Sequence, residues 1–409
     1  MYNTYFYIII FITILFFVID KLIDYLNTLN WSQKLPKEAE GIFDIEKYSL
    51  QQSYEKAKHK FSNISGIFSF VLMLLVLIFG GFGFLDNFLR GYFSNEIVLT
   101  LAFFSIIILI QTIFSLPFSY YGTFVIEEKF GFNKMTKKLF FLDTIKTLLL
   151  TYLVGGVIFF ILIWIYLKLG ANFWWVAGII LSLFSVFIMM FYSSLIVPIF
   201  NKQTPLESGE LRTAIEDFGK KVGFELDNIF VIDGSKRSSK ANAYFSGFGP
   251  KKRIVLYDTL IKDLTVEELV AVLAHEIGHY KKKHTLQMLV FSIIQTFLIM
   301  FLFSLVINNS DIALALGSGK ASFYIGAVAF GILFTPLNFF LGILGNILSR
   351  KNEYEADNFA KENYSAEALV SGLKKLATNN LTNLLPHKVY EFVHYSHPTV
   401  LKRIKSLTK

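Results

Sequence analysis

Two groups of residues in this 409-residue chain carry the types and spacing that chemistry needs. The first is Leu273-Ala274-His275-Glu276-Ile277-Gly278-His279-Tyr280. Residues four apart lie within about 40° of each other around an α-helix, so the His275 and His279 imidazoles can meet at one metal ion. Glu276 is too close in sequence to serve comfortably as a third ligand. It is well placed to take a proton from a water at the metal. A catalytic zinc takes three protein ligands and keeps one position open, and two His with one Glu is such a set. The second group, Arg350-Lys351-Asn352-Glu353-Tyr354-Glu355-Ala356-Asp357, supplies the missing ligand as Glu353. Asp357, one turn later, orients a ligand imidazole from behind. One Zn²⁺ per chain is therefore expected. The competing reading is a pair of surface histidines on an amphipathic helix, with Glu276 an ordinary helix charge. Glu355 points to another face and reads as a solvated charge. His284, nine residues past His275, is half a revolution away on a continuous helix and reads as interfacial. Thr285 stands where an extended metzincin pattern needs a third His, which excludes that class.

Stepping along the chain, Thr265-Val266-Glu267-Glu268 is a Thr-x-x-Glu capping box that starts the helix bearing His275 and His279. Ahead of it, Leu211, Ile215, Phe218 and Val222 recur at helical spacing and predict a helix over Glu210 to Val222. Ile229 to Ile232 is a short β-branched run ended by Asp233-Gly234. Ala243 to Ser246 and Ile254 to Tyr257 flank a turn over Gly247 to Arg253, so a small hairpin or sheet is expected. No repeat of 20 to 50 residues and no low-complexity linker is present.

Composition sets the surroundings of this unit. The chain is 54% hydrophobic and 17% charged, more apolar than a soluble core requires, so a membrane protein is expected. With no Cys there are no disulfides, thiolate metal sites or cysteine nucleophile. Seven apolar stretches are long enough to cross a bilayer as helices: Tyr2 to Ile19, Gly66 to Leu85, Ile97 to Tyr120, Thr147 to Leu167, Phe173 to Ile199, Thr285 to Ile307 and Ala321 to Ser349. The first has neither a basic leader nor a small-residue cleavage site, and reads as a retained span. Of the 39 Lys and Arg, all but three fall on one side of the membrane under this topology. The positive-inside rule then puts the amino terminus outside and the carboxyl terminus in the cytoplasm. The net charge of +8 is thus mostly topology, which argues against a nucleic-acid partner. The span interiors hold no Asp, Glu, Lys, Arg or His, which counts against a pump or transporter. Gln111, Gln295 and Asn338 read as interhelical hydrogen-bonding groups, and Pro117 and Pro336 as kinks. The expected division is 1–199 and 285–349 in the membrane, with 200–284 and 350–409 as two cytoplasmic parts of a peptidase. The triple lysine Lys281-Lys282-Lys283 places the histidine motif in a hydrophilic segment, against a site-2-type intramembrane protease.

With these residues in hand, the chain resembles the type I CAAX prenyl proteases, membrane zinc metallopeptidases that remove the last three residues of prenylated proteins. The resemblance rests on Thr123 to Lys134 after the third span, Asn242-Ala243-Tyr244, the His275 to His279 motif, Ser349 to Asp357, and His397-Pro398 with Arg403. It implies a mainly α, polytopic fold. Seven transmembrane helices would form a barrel around a large chamber, with a gluzincin-like zinc peptidase domain, containing the small β-hairpin or sheet, at its cytoplasmic end. It implies that Asn242, Ala243 and Tyr244 lie on an exposed strand edge along which substrate backbone pairs; the alternative is an ordinary hairpin strand. His397 and Arg403 would stand near the metal, where either stabilises an oxyanion; equally, His397-Pro398 caps a terminal helix. Tyr280 and Asn352 depart from residues common in the family, without touching the metal ligands. The expected activity is zinc metalloendopeptidase on the carboxyl-terminal region of CAAX-type prenylated proteins or peptides, in a bacterial inner membrane or the endoplasmic reticulum. The partners are a peptide or protein substrate and the lipid bilayer. Alternatives are a membrane-protein quality-control endopeptidase without a prenyl requirement, and a non-catalytic zinc scaffold or carrier of lipidated chains.

Overall fold

The computed structural model describes residues 2–32, 34–224, 228–247 and 252–409. Long helices dominate: α1 (Thr4–Thr28), α2 (Ile45–Ile78), α3 (Glu96–Tyr121), α4 (Gly156–Leu169) and α5 (Phe173–Phe191). α1 to α3 start at caps legible in sequence, since Asn3, Asp44 and Asn95 each accept a hydrogen bond from a backbone N–H of the first turn. Pro117 lies inside α3, which relaxes into a π-helical turn over Gly122–Glu127.

The hydrophilic part follows. Strand β1 (Gln203–Pro205) precedes α6 (Glu210–Lys221), and β2 (Ile229–Ile232), β3 (Ala243–Ser246) and β4 (Arg253–Tyr257) precede α7 (Val266–Lys281). The four strands form one sheet in the order β1-β2-β4-β3, with β2 and β4 parallel and the other two pairs antiparallel. β3 and β4 are the expected hairpin strands. Of the turn expected over Gly247 to Arg253, Arg253 already belongs to β4 and residues 248–251 lie outside the described residues. α8 (His284–Val306) then re-enters the apolar part, and α9 (Phe323–Leu333) meets α10 (Thr335–Asn363) at a bend of 58° beside Pro336. α11 (Ala366–Asn379) and α12 (Val400–Leu407) close the chain.

By length and composition five helical runs can cross a membrane, or six when the bent pair counts as one span, against the seven expected. The difference lies in the 64-residue run Lys137–Phe200. Straight, it would extend about 96 Å, some three times a bilayer's hydrocarbon core. It breaks at Gly170, whose positive φ of 55° few other residues adopt, and α4 packs on α5 across the break. Only 6% of the most apolar window is buried in α2 and in α8, although α8 runs along α5, where the Phe297 ring leaves no room for a Cβ at Gly178. The spans join at one end through clusters around Phe103 with Tyr324 and around Phe173 with Phe303.

At the other end, one apolar core ties both hydrophilic segments together. Ile215 of α6, Ile254 and Leu256 of β4, Leu269 and Leu273 of α7, Leu373 of α11 and Leu407 of α12 share it. Each such side chain contributes roughly 1.5–3 kcal/mol on burial. α7 begins at the expected capping box, with Thr265 accepting from the Glu268 N–H and Glu268 accepting from the Thr265 N–H. The Glu268 carboxylate also accepts from Ser371 and Lys375 of α11, fixing that helix against α7. α7 meets the backbone of α10 at Gly278, where a Cβ would stand 3.1 Å from the Ala356 Cα and carbonyl oxygen. Because the obstacle is backbone, Gly278→Val is expected to force the two helices apart. Overpacking of this kind costs about 1–3 kcal/mol, and the expected result is a melting temperature lowered by several degrees in detergent, with weakened zinc retention. Wild-type values for both would show that the close approach carries no weight.

Candidate metal centre

His275 and His279 project from one face of α7, and Glu353 reaches them from α10. One ligand atom from each lies within 4.8 Å of the other two. The contacts are 3.1 Å between His275 Nε2 and His279 Nε2, 3.2 Å from His279 Nε2 to Glu353 Oε1, and 3.5 Å from His275 Nε2 to Glu353 Oε2. A tetrahedral zinc with bonds of about 2.0–2.2 Å needs ligand-to-ligand edges of about 3.3–3.6 Å, so the three residues already stand close to the required spacing. Two further observations fit a metal. The two Nε2 atoms face each other, although one proton can serve only one of them. Buried Glu353 Oε2 has no hydrogen-bond partner, an orphan that a cation would satisfy. Half-buried Glu276 follows His275 on α7 and makes no hydrogen bond or ion pair among the described residues, which leaves its carboxylate free for a water.

A second layer holds the ligands. Asp357 Oδ1 stands 2.9 Å from His275 Nδ1, while Arg403 of α12 grips the same carboxylate at 2.8 and 2.6 Å. Arg403 also reaches within 3.4 Å of Glu353 Oε2. Burial, and after it the Arg403 charge, disfavour a proton on His275. The Asp357 and Glu353 carboxylates beside the ring outweigh both and hold its pKa up at about 9.

His397 is largely exposed, with Nε2 3.3 Å from Glu353 Oε1. Its loop is fastened by Arg350, which donates to the Phe392 carbonyl at 3.2 Å and to that of Tyr395. The alternative of a helix cap at His397-Pro398 does not hold, because Thr399 caps α12 by accepting from the Lys402 N–H. Asn242 is exposed, and β3, carrying Ala243 and Tyr244, is an edge strand of the sheet beside α7.

One expectation is overturned. The helix is not continuous from His275 to His284: the chain breaks at Lys283, where φ is 58°, and His284 turns back until its Nδ1 lies 3.1 Å from His279 Nδ1. Glu355 is partly exposed, in keeping with a solvated charge, and its Oε2 also lies 3.1 Å from His284 Nε2, a contact the sequence reading missed. The triple lysine was the available signal. Lysines at the boundary between a hydrophilic helix and an apolar one mark a place where the axis can change.

Comparison with known proteins agrees with this arrangement. Residues 24–202 match the model of the CAAX prenyl protease N-terminal region with five membrane helices, and residues 205–409 match peptidase family M48. CAAX prenyl protease 1 of Saccharomyces cerevisiae is 37% identical over 400 residues, covering 91% of this chain and 88% of the yeast protein. The Homo sapiens CAAX prenyl protease 1 homolog is 33% identical over 421 residues, covering 91% of this chain and 88% of its own length. The crystal structure of S. mikatae Ste24p superposes with a TM-score of 0.93 at 36% identity, over 100% of both chains.

Removing one partner of a buried charge pair strands the other. Asp357→Asn is therefore expected to destabilise the protein by about 3–5 kcal/mol, with Asp357→Asn/Arg403→Gln recovering part of the loss. Thermal unfolding of both variants checks it, and equal losses would dissolve the pair. In the metal-free protein His275 keeps its proton up to about pH 9, and metal binding must expel it. Zinc affinity measured by chelator competition should thus rise about tenfold per pH unit from neutrality toward pH 9; a flat profile would contradict this protonation.

Proposed function

The chain belongs to the CAAX prenyl protease branch of peptidase family M48, and from that premise we propose that it hydrolyses peptide bonds near the carboxyl terminus of CAAX-type prenylated proteins. It is a multi-pass membrane zinc metalloendopeptidase. What carries the reading is the convergence of two imidazoles and a buried carboxylate at zinc spacing, beside a free glutamate and an open strand edge.

In the mechanism we propose, His275, His279 and Glu353 hold the zinc. Bound there, zinc supplies Lewis acidity, polarising the scissile carbonyl and acidifying water. Glu276 takes a proton from the attacking water and returns it to the leaving amine. Substrate backbone pairs with the outer edge of β3, and exposed Asn242 flanks the entry of that edge. His397, exposed at the rim beside Glu353, hydrogen-bonds the oxyanion. Arg403 is already committed to Asp357, which supports a positioning role for it rather than contact with the oxyanion. Asp357 in turn keeps the His275 proton on Nδ1, away from the metal side.

The same reading makes 200–284 and 350–409 two halves of one peptidase unit, supported by the apolar core they share, and 1–199 with 285–349 its membrane part. The positive-inside distribution favours a cytoplasmic metal centre.

Detergent-purified protein and a farnesylated CaaX peptide, set against the unmodified peptide, test the proposal. The farnesylated peptide should be cut preferentially, and Glu276→Gln should keep its zinc while turnover falls at least ~10²-fold. Equal cutting of both peptides would favour a quality-control endopeptidase without a prenyl requirement. No cutting of either by zinc-replete protein would favour a non-catalytic scaffold.

A further inference from the structure

His279 is held from behind by an imidazole rather than a carboxylate. His284 Nδ1 lies 3.1 Å from His279 Nδ1, and His284 Nε2 lies 3.1 Å from Glu355 Oε2. On an unbroken helix, residues five apart would diverge by about 140°. The left-handed Lys283 between α7 and α8 brings them face to face.

The protons can be assigned around this chain of contacts. His279 Nε2 faces His275 Nε2 and Glu353, so as a metal ligand it must offer a lone pair there. Its one proton then sits on Nδ1 and is donated to His284 Nδ1. His284 accepts on Nδ1, so its own proton is on Nε2 and is donated to Glu355. Behind the metal side, from His279 Nδ1 to Glu355, each contact then pairs one donor with one acceptor.

We propose that His284 and Glu355 are positioning residues for the metal site, fixing the tautomer and ring orientation of His279 as Asp357 does for His275. The inference rests on the reading of His279 as a metal ligand. One stretch of α10 then supplies the third ligand and both orienting carboxylates. Asp357, four residues after Glu353, returns to nearly the same face and touches His275 directly. Glu355, two residues after Glu353, points about 200° away and cannot reach His279. The buried His284 ring spans that gap. Because Glu355 is 41% exposed, its pull is screened by solvent and the larger share of the effect falls to His284.

The test is zinc affinity of the full-length protein in detergent by competition with a fluorescent chelator, together with the visible spectrum of the cobalt-substituted protein. His284→Ala should weaken zinc binding about 10- to 100-fold and change the cobalt spectrum. In His284→Gln the amide oxygen can accept from His279 while the amide NH₂ donates to Glu355. That variant should bind zinc within about threefold of wild type and keep the cobalt spectrum, with Glu355→Gln falling between the two. Unchanged affinity in His284→Ala would overturn the relay. So would equal losses in His284→Ala and His284→Gln, which would reduce the residue to packing. His279→Ala is the control: retention of wild-type affinity there would remove the ligand assignment itself.

Discussion

The centre depends on the seam between α7 and α10. Two ligands lie on one helix and the third on another, far along the chain, so the spacing of all three is set by how closely the helix backbones approach. Gly278 permits that approach, standing between the two histidines with Ala356 opposite, between Glu355 and Asp357. Small residues at a helix crossing let the axes close, and the longer side chains on either flank then meet in register. Without the contact, His275 and Glu353 would be two unrelated motifs.

The seam also concentrates charge. Glu353, Asp357 and His275 are all buried, and Arg403 nearly so, an arrangement that costs much in desolvation unless each group finds a partner. Asp357 is satisfied by His275 and Arg403. Glu353 is left with a buried oxygen lacking a hydrogen bond. In the metal-free molecule this strain is relieved in part by a proton held on His275, which the metal replaces. Rigidity comes from the rest of the assembly. The Glu268 cap binds α11 to α7, Arg350 fastens the carboxyl-terminal loop, and the shared apolar core holds α12 so that Arg403 cannot withdraw.

Hydrolysis needs water and a peptide, and a bilayer interior offers neither freely. The division of the molecule answers this constraint. Long apolar helices carry the chain across the membrane, and the polar centre lies where the two hydrophilic segments share an apolar core. Backbone groups within these helices are served mainly by the helices themselves, so an apolar surface facing lipid leaves few orphaned donors there. The edge of β3 is the converse case. Among the described residues its outer hydrogen-bonding groups lack a neighbouring strand.

Local features of the molecule were legible in the sequence because their causes are local. The Thr265 to Glu268 cap, the i to i+4 pair of histidines, the strand of Ile229 to Ile232 and the apolar spans each depend on residues within a few turns of one another. The pairing of Glu353 with the histidines was legible through chemistry: a zinc site needs a third ligand, and few hydrophilic carboxylates stood on a helix leaving the membrane. The count of spans was less secure, since composition alone runs Lys137 to Phe200 together and only the break at Gly170 divides it. Helical periodicity set His284 away from the histidine pair and so missed its contacts with His279 and Glu355. Periodicity assumes one straight axis, and the left-handed Lys283 ends it. The sequence by itself determined which side chains carry metal-binding chemistry and that several stretches are long and apolar enough to cross a membrane. Tertiary structure alone decided the partner of each imidazole's second nitrogen, because that depends on the angle between two helices and on one backbone dihedral, which residue types do not encode.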